Sequence, residues 1–375
     1  MPNIQNHAVE VGHLTLAERP FDELDALILS QLVYLPLDDF LPRGTRCTVA
    51  EACVCLRKYV PENSQDFFVK RRWKLFDVCA ALPRYADWQI ADYVSEIDKE
   101  KEMQFCACTY DLLNGSRVIV FRGTDLTLVG WKEDFNMSYG TVPSQHEAAE
   151  YVHRAAQGNG DALYLCGHSK GGNLSIYAAA VTDASTRERI RRVYSFDAPG
   201  VDEATLHSHG YELISERIDS YLPQSSIVGM LLNYHPVYTV VKANTLGVLQ
   251  HDPISWQVRG GAFVTLPGVD RISSITDETV HAWLAEVEPD ERRFLVDTLY
   301  RVVASSQADL LTELVTDWKE SANRMLEAVR GLTQEERKSV KRLLKTLFTT
   351  GANEVVENIL GTLLHRDGGD TAQEK

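Results

Sequence analysis

A chain of 375 residues, 44% apolar and 24% charged, has ordinary globular composition and is long enough to bury a full core without disulfides or metal. Its formal net charge of −15 disfavours nonspecific binding to nucleic acid or anionic lipid, which need a basic surface. The first thirty residues lack a basic start and an apolar core, and no apolar run reaches the roughly 18 residues that span a bilayer, so neither a signal peptide nor a transmembrane segment is expected.

In chain order, residues 1–20 are polar and read as an arm. Leu24, Leu27, Ile28 and Leu32 form a helical stripe, and residues 36–100 read as mostly helical and irregular. Gln104 to Tyr110 and Arg117 to Phe121 read as strands joined by a hairpin turn at Asn114-Gly115. His146 to Ala156 reads as a helix, Ala162 to Cys166 as a short apolar strand, and a helix is expected right after Ser169. Arg192 to Phe196, Arg217 to Tyr221 and Tyr238 to Ala243 complete the strands, with a helical Ser225 to Leu232 between the last two. Strands alternating with helices imply a mainly parallel sheet covered on both faces. Beyond about residue 275 the period is helical, with a capping box at Thr333 to Glu336. The expected organisation is an N-terminal helical region (1–100), an α/β core (101–270), a C-terminal helical extension (271–365) and a disordered tail (366–375).

The seven cysteines (Cys47, Cys53, Cys55, Cys79, Cys106, Cys108 and Cys166) show no CxxC spacing. They read as reduced thiols that pack as small hydrophobes, which fits a cytoplasmic location.

The chemistry-bearing segment is Leu163 to Gly172, where Gly167-x-Ser169-x-Gly171 has the form of a nucleophile elbow. Such a serine sits on a sharp strand-to-helix turn, and the flanking glycines let neighbouring backbone pass without Cβ clashes. An apolar strand before it and a helix-compatible run after it supply the context. A serine also needs a base, an orienting acid and an oxyanion hole. The backbone N–H of Lys170 would supply one oxyanion donor. Thr124, in the glycine turn after the strand Val118 to Phe121, is the candidate for the other.

FRGT (Phe121 to Thr124), Trp131, Asp134 and GHSKGG (Gly167 to Gly172) together resemble the class 3 lipase family over about residues 102–255. GHSKGGNL, FDAPG and QHDPISW make the chain more similar still to a bacterial group of lipase-like proteins. The resemblance implies an α/β-hydrolase fold, Ser169 as nucleophile and Thr124 at the oxyanion hole. One position departs from the family: its catalytic Asp lies in a D-I-V-P segment, and the matching stretch here is Ser226-Ile-Val-Gly229.

Chain order in this fold runs Ser, then acid, then His. His207 and His209 come too early, His235 lies at the wrong end of the last strand, and His281 and His365 fall in the helical tail. His251 follows the last strand and is the expected base. Asp197, ending the strand after the elbow helix in an F-D-A-P-G context similar to that of pancreatic-type lipases, is the leading acid; Asp219 and Asp252 remain alternatives. His168 and the Lys170 side chain read as positional, Trp131 and Asp134 as structural, and Tyr139 to Ser144 as a short lid. The expected activity is hydrolysis of a small-molecule or lipid carboxylic ester through an acyl-serine, with no cofactor and no metal. The other class of reading is a catalytically degenerate hydrolase fold used for binding or scaffolding.

Overall fold

Apolar side chains alternate along the central strands, and the alternation sorts them onto two faces of one sheet. In a computed structural model, the described residues are 1–38, 41–42, 44–58, 67–125, 127–138, 140–157, 162–232, 234–271, 273–274, 282–283, 286–306 and 318–349. The strands are β1 (Arg46–Thr48), β2 (Gln89–Asp98), β3 (Met103–Asp111), β4 (Arg117–Phe121), β5 (Leu163–His168), β6 (Ile190–Phe196), β7 (Ile218–Pro223), β8 (Tyr238–Val241), β9 (Val258–Arg259), β10 (Ala262–Phe263) and β11 (Thr265–Leu266). Nine of them form one sheet in the order β1-β2-β3-β4-β5-β6-β7-β8-β11, and β9 and β10 pair apart. The sheet is parallel through β4 to β8 and antiparallel at both ends. The chain is a mixed α/β protein. The β3–β4 hairpin turns at Asn114-Gly115 as expected, with Gly115 at φ +83° and the Asn114 side chain accepting from Ser116 N–H at 3.0 Å.

The parallel strands succeed one another in chain order, so right-handed crossovers carry all their helices to the same face. On that face lie α6 (Pro143–Ala156), α7 (Lys170–Val181) and α10 (His209–Ile214), packed on Phe105, Ala107, Ile119, Phe121, Leu163, Leu165 and Val193. The residues between these in sequence, among them Cys106, Cys108, Val118, Val120, Cys166 and Tyr194, point the other way. Their cover comes from α1 (Ile4–Val11), α2 (Glu23–Leu32), α3 (Val49–Leu56) and α4 (Phe67–Ala80). All seven cysteines are free thiols, and five of them are buried.

The N-terminal polar arm expected from sequence is instead helix α1, with Ile4, His7, Ala8 and Val11 buried. Its apolar spacing is helical, but two of the turns carry polar residues that dilute the pattern. Asn3 caps it and reaches across to donate to the Ile254 carbonyl at 2.9 Å. Within 36–100, α3 and α4 are helical as expected, whereas β1 and β2 join the sheet. The β2 alternation is broken by a bulge between Ala91 and Val94, with Asp92 at φ +53°, which hides the period of two. The buried Arg84 guanidinium pairs with buried Asp25 at 2.5 and 3.0 Å and donates to the Arg19 carbonyl at 2.9 Å, fixing the stretch that joins α1 to α2.

Ser225 to Leu232 holds only a short 3-10 turn, Val228–Met230. Beyond the sheet, the helix Pro289–Ala304 packs Leu295 and Leu299 with Val287, Trp283 and Val340. Asp297 of that helix pairs with Lys132 at 2.8 Å, docking it on α5 (Leu128–Asn136). The capping box forms at Thr333, whose N–H meets Glu336 Oε2 at 2.7 Å while Glu336 N–H meets Thr333 Oγ1 at 3.1 Å. The expected disordered tail, 366–375, lies outside the described residues, and among the described residues no helix is long and apolar enough to cross a membrane.

His7 is almost fully buried in α1, and neither ring nitrogen has a hydrogen-bond partner. Burial, the largest influence, pushes its pKa down to about 4 from 6.5. Between those values the unfolded chain takes up a proton that the folded chain refuses, so stability present above pH 6.5 is lost as the pH falls toward 4. In urea titrations at about pH 7.5 and about pH 4.5, His7→Leu should shrink the stability difference between the two conditions by about 2 kcal/mol. An unchanged difference would show that His7 does not carry it.

Candidate functional site

Three neighbouring parallel strands end in register. Phe121 of β4 pairs with Gly167 of β5, and His168 of β5 with Phe196 of β6. The residues that follow, Gly123-Thr124, Ser169 and Asp197, therefore emerge side by side at the C-terminal edge, where open α/β sheets place their ligands. β7 ends at Pro223 and leads to Ser226, and β8 ends at Val241 and leads to His251. Five successive strands thus deliver Thr124, Ser169, Asp197, Ser226 and His251 in spatial order.

Ser169 lies between β5 and α7 at φ +58°, ψ −134°, a conformation that L side chains rarely adopt. The surrounding backbone leaves the turn no slack. A Cβ on Gly167 would meet the Gly171 carbonyl at 2.2 Å, and one on Gly171 would meet the Phe121 carbonyl oxygen at 2.1 Å. Ser169 N–H donates to the Phe196 carbonyl at 2.9 Å, tying the turn to β6.

Asp197 is also left-handed, at φ +44°, and its carboxylate is buried. His251 Nδ1 lies 2.7 Å from Asp197 Oδ2. The other oxygen, Oδ1, accepts from Ser226 Oγ at 2.5 Å and from the Gly229 backbone N–H at 3.2 Å. The serine at the family's usual acid position is thus a hydrogen-bond donor to the carboxylate from the neighbouring strand. The His251 imidazole is about three-tenths exposed, at the end of the 3-10 turn Gly247–His251. Buried Gln250 fixes this turn by accepting from Ser225 N–H at 2.9 Å and donating to the Thr245 carbonyl at 3.0 Å.

The other acids are engaged elsewhere. Asp252 pairs with Arg71 of α4 and caps the following turn at Ile254 N–H. Asp219 faces Arg192 at 3.5 Å. Among the other histidines, His235 is bonded to Tyr211 Oη at 2.8 Å and His209 meets Glu212 on the surface, while His281 and His365 lie outside the described residues.

Thr124 Oγ1 donates to the Asp134 carboxylate at 2.6 Å. Burial, the largest influence, raises the Asp134 pKa to about 6 against the opposing pull of Lys170. Lys170 begins α7, and its buried Nζ donates to Glu133 Oε2 at 2.9 Å and to both oxygens of Gln104, at 2.8 and 3.0 Å. Glu133 in turn accepts from Gln104 N–H at 3.0 Å and from Ser144 N–H at 2.9 Å. This closed buried pair ties the start of α7 to β3, α5 and α6.

His168 Nε2 lies 2.7 Å from the His251 main-chain carbonyl, and its Nδ1 lies 3.2 Å from Tyr34 Oη. Burial first, and the neighbouring His251 second, hold the His168 pKa well below the usual histidine range, so the ring is neutral. Of the expected lid, Tyr139 lies outside the described residues, and Val142 and Ser144 are buried where α6 begins. Sequence reasoning did not find Ser226, Gln250, Glu133 or Tyr34. Ser226 carried a signal, as the departure from the family pattern; Tyr34 carried none, being 134 positions from its partner. Among the described residues no group of His, Cys, Asp and Glu is placed to hold a metal ion.

A family model described as Mbeg1-like matches residues 79–301. Among solved structures, the chain is similar to M37 lipase, with 16% identity and a TM-score of 0.36, over 57% of this chain and 70% of that one. No curated protein matches the sequence.

Because the added methyl of Gly171→Ala would strike backbone rather than a movable side chain, this substitution should destabilise the fold by roughly 1–3 kcal/mol, measured as a lowered denaturation midpoint. A wild-type midpoint would mean that the elbow relaxes freely.

Proposed function

This chain belongs to the Mbeg1-like family, and we propose that it is an α/β-hydrolase-fold serine hydrolase that cleaves carboxylic esters through an acyl-serine. One observation carries the reading: a left-handed serine at a glycine-flanked strand-to-helix turn shares a sheet edge with a buried carboxylate bonded to a histidine at 2.7 Å. In this reading the catalytic unit is the sheet and its crossover helices, about residues 101–270, with helical additions on either side.

The chemistry follows from donors and acceptors. Asp197 accepts the Nδ1–H of His251, which leaves Nε2 unprotonated to take the proton from Ser169 Oγ. The serine oxygen then bonds to the ester carbonyl carbon. The carbonyl oxygen becomes an oxyanion, received by the backbone N–H groups of Thr124 and Lys170 and favoured by the N-terminus of α7. His251 returns its proton to the departing alkoxide, and water repeats the sequence to release the acid. Asp197, held by Ser226 Oγ and Gly229 N–H, stabilises the imidazolium between steps. Exposed Leu246 and Leu249, on the segment that carries His251, offer apolar surface for an acyl chain, which favours an ester with a hydrophobic acyl group.

A fluorophosphonate should label Ser169 and leave Ser169→Ala unlabelled; equal labelling of both would remove Ser169 from the role. On a nitrophenyl ester, Asp197→Asn should lower turnover by about 10⁴, as in the well-studied protease case, with folding intact. Asp219→Asn and Asp252→Asn should stay within a few-fold of wild type. Collapse of either of these with Asp197→Asn still active would reassign the acid.

A further inference from the structure

We propose that Tyr34 and His168 are positioning residues that couple the oxyanion loop to the loop carrying the base. The inference rests on the hydrolase reading for its kinetic consequences, and on geometry for the coupling itself. A main-chain carbonyl only accepts, so the 2.7 Å contact between His168 Nε2 and the His251 carbonyl requires a proton on Nε2. The ring is neutral, so Nδ1 is an acceptor, and the 3.2 Å contact with Tyr34 must be a donation from the phenol. Tyr34 Oη in turn lies against the main chain at Gly123. The result is a one-way chain: Tyr34 O–H to His168, His168 N–H to the His251 carbonyl. It starts at a phenol packed against the residue before Thr124, passes through the residue before Ser169, and ends on the backbone of the base.

The surroundings leave each member little freedom. A Cβ on Gly123 would fall 2.3 Å from Tyr34 Oη, 2.6 Å from the His168 carbonyl oxygen and 3.0 Å from Ser169 Cβ. The Arg72 guanidinium sits 3.9 Å over the Tyr34 ring, and Arg71, beside it on α4, holds Asp252, the residue after His251. The His168 and His251 rings lie 4.5 Å apart, centroid to centroid. The N-terminal helices thereby hold the base loop from two sides, through Tyr34 of the turn after α2 and through α4.

The test uses the full chain as wild type, Tyr34→Phe, His168→Leu and His168→Gln. Tyr34→Phe removes one oxygen from a ring that keeps its packing; glutamine restores a donor toward the His251 carbonyl. kcat and KM on a nitrophenyl ester are read beside the downfield NMR signal of the His251 Nδ1 proton, identified by its loss in His251→Ala. Tyr34→Phe should lower kcat about tenfold, the size of one neutral hydrogen bond, with KM within about twofold. His168→Leu should lose more, and His168→Gln should recover most of that loss. In Tyr34→Phe and His168→Leu the Nδ1 proton should exchange with water faster than in wild type. If Tyr34→Phe keeps wild-type kcat and an unchanged Nδ1 signal, the coupling is overturned and the two residues only pack the core. If wild type hydrolyses no ester and takes no fluorophosphonate, the hydrolase reading fails, and the Nδ1 signal alone decides the coupling.

Discussion

The backbone of Ser169 sits in a region of φ and ψ that costs roughly 1–3 kcal/mol, and much of the surrounding structure exists to keep it there. Gly167 and Gly171 lie against each other and against the end of β4 so closely that any side chain would part them. β5 and β6 hold the turn by the Ser169–Phe196 hydrogen bond, and α7 leaves it at once. Strain of this kind persists only when several elements agree on it. Here a strand, a helix and two neighbouring strand ends do so.

Burying polar groups under the turn is the second constraint, and they are paired with one another. Lys170 has three acceptors within 3.0 Å, and both oxygens of Glu133 are used. Asp197 engages both oxygens through three donors, two on the segment after β7 and one on the loop that carries His251. Removing one member of such a set leaves a buried group unmet, which costs far more than a surface contact would. Lys170 therefore does two things by position alone: its main chain begins the helix that faces the site, and its side chain locks that helix to β3 and α5.

Much of this was legible in the residues. The hairpin at Asn114-Gly115, the strands from Arg117 to Phe121 and from Arg192 to Phe196, and the helix after Ser169 all follow from local pattern. Chain order, strand ends and a lipase-like F-D-A-P-G context pointed to Asp197 beside His251 while leaving Asp219 and Asp252 open, and the structure brings Asp197 and His251 into contact. What escaped was non-local. Ile4, Ala8 and Val11 look like part of a polar arm until the face they cover is known. The bulge at Asp92 breaks the alternation that would have marked β2. Ser226 reads as a missing acid until Asp197 stands beside it, and nothing near Tyr34 in the sequence points to His168.

The order of the parallel strands bears on how the chain folds. Because β4 to β8 are wound in a single direction, their own helices cover one face, and the other is closed by helices that come earlier in the sequence. Asn3 finds its partner carbonyl 251 residues later. During synthesis, at roughly 5–20 residues per second, helices α1 and α2 must wait on the order of ten seconds or more, apolar stripes exposed, before β5 and β6 are made. Contacts of such long range also slow folding once the chain is complete. The helices made before the sheet are thus among the last to find their cover, and until then their apolar faces are open to self-association.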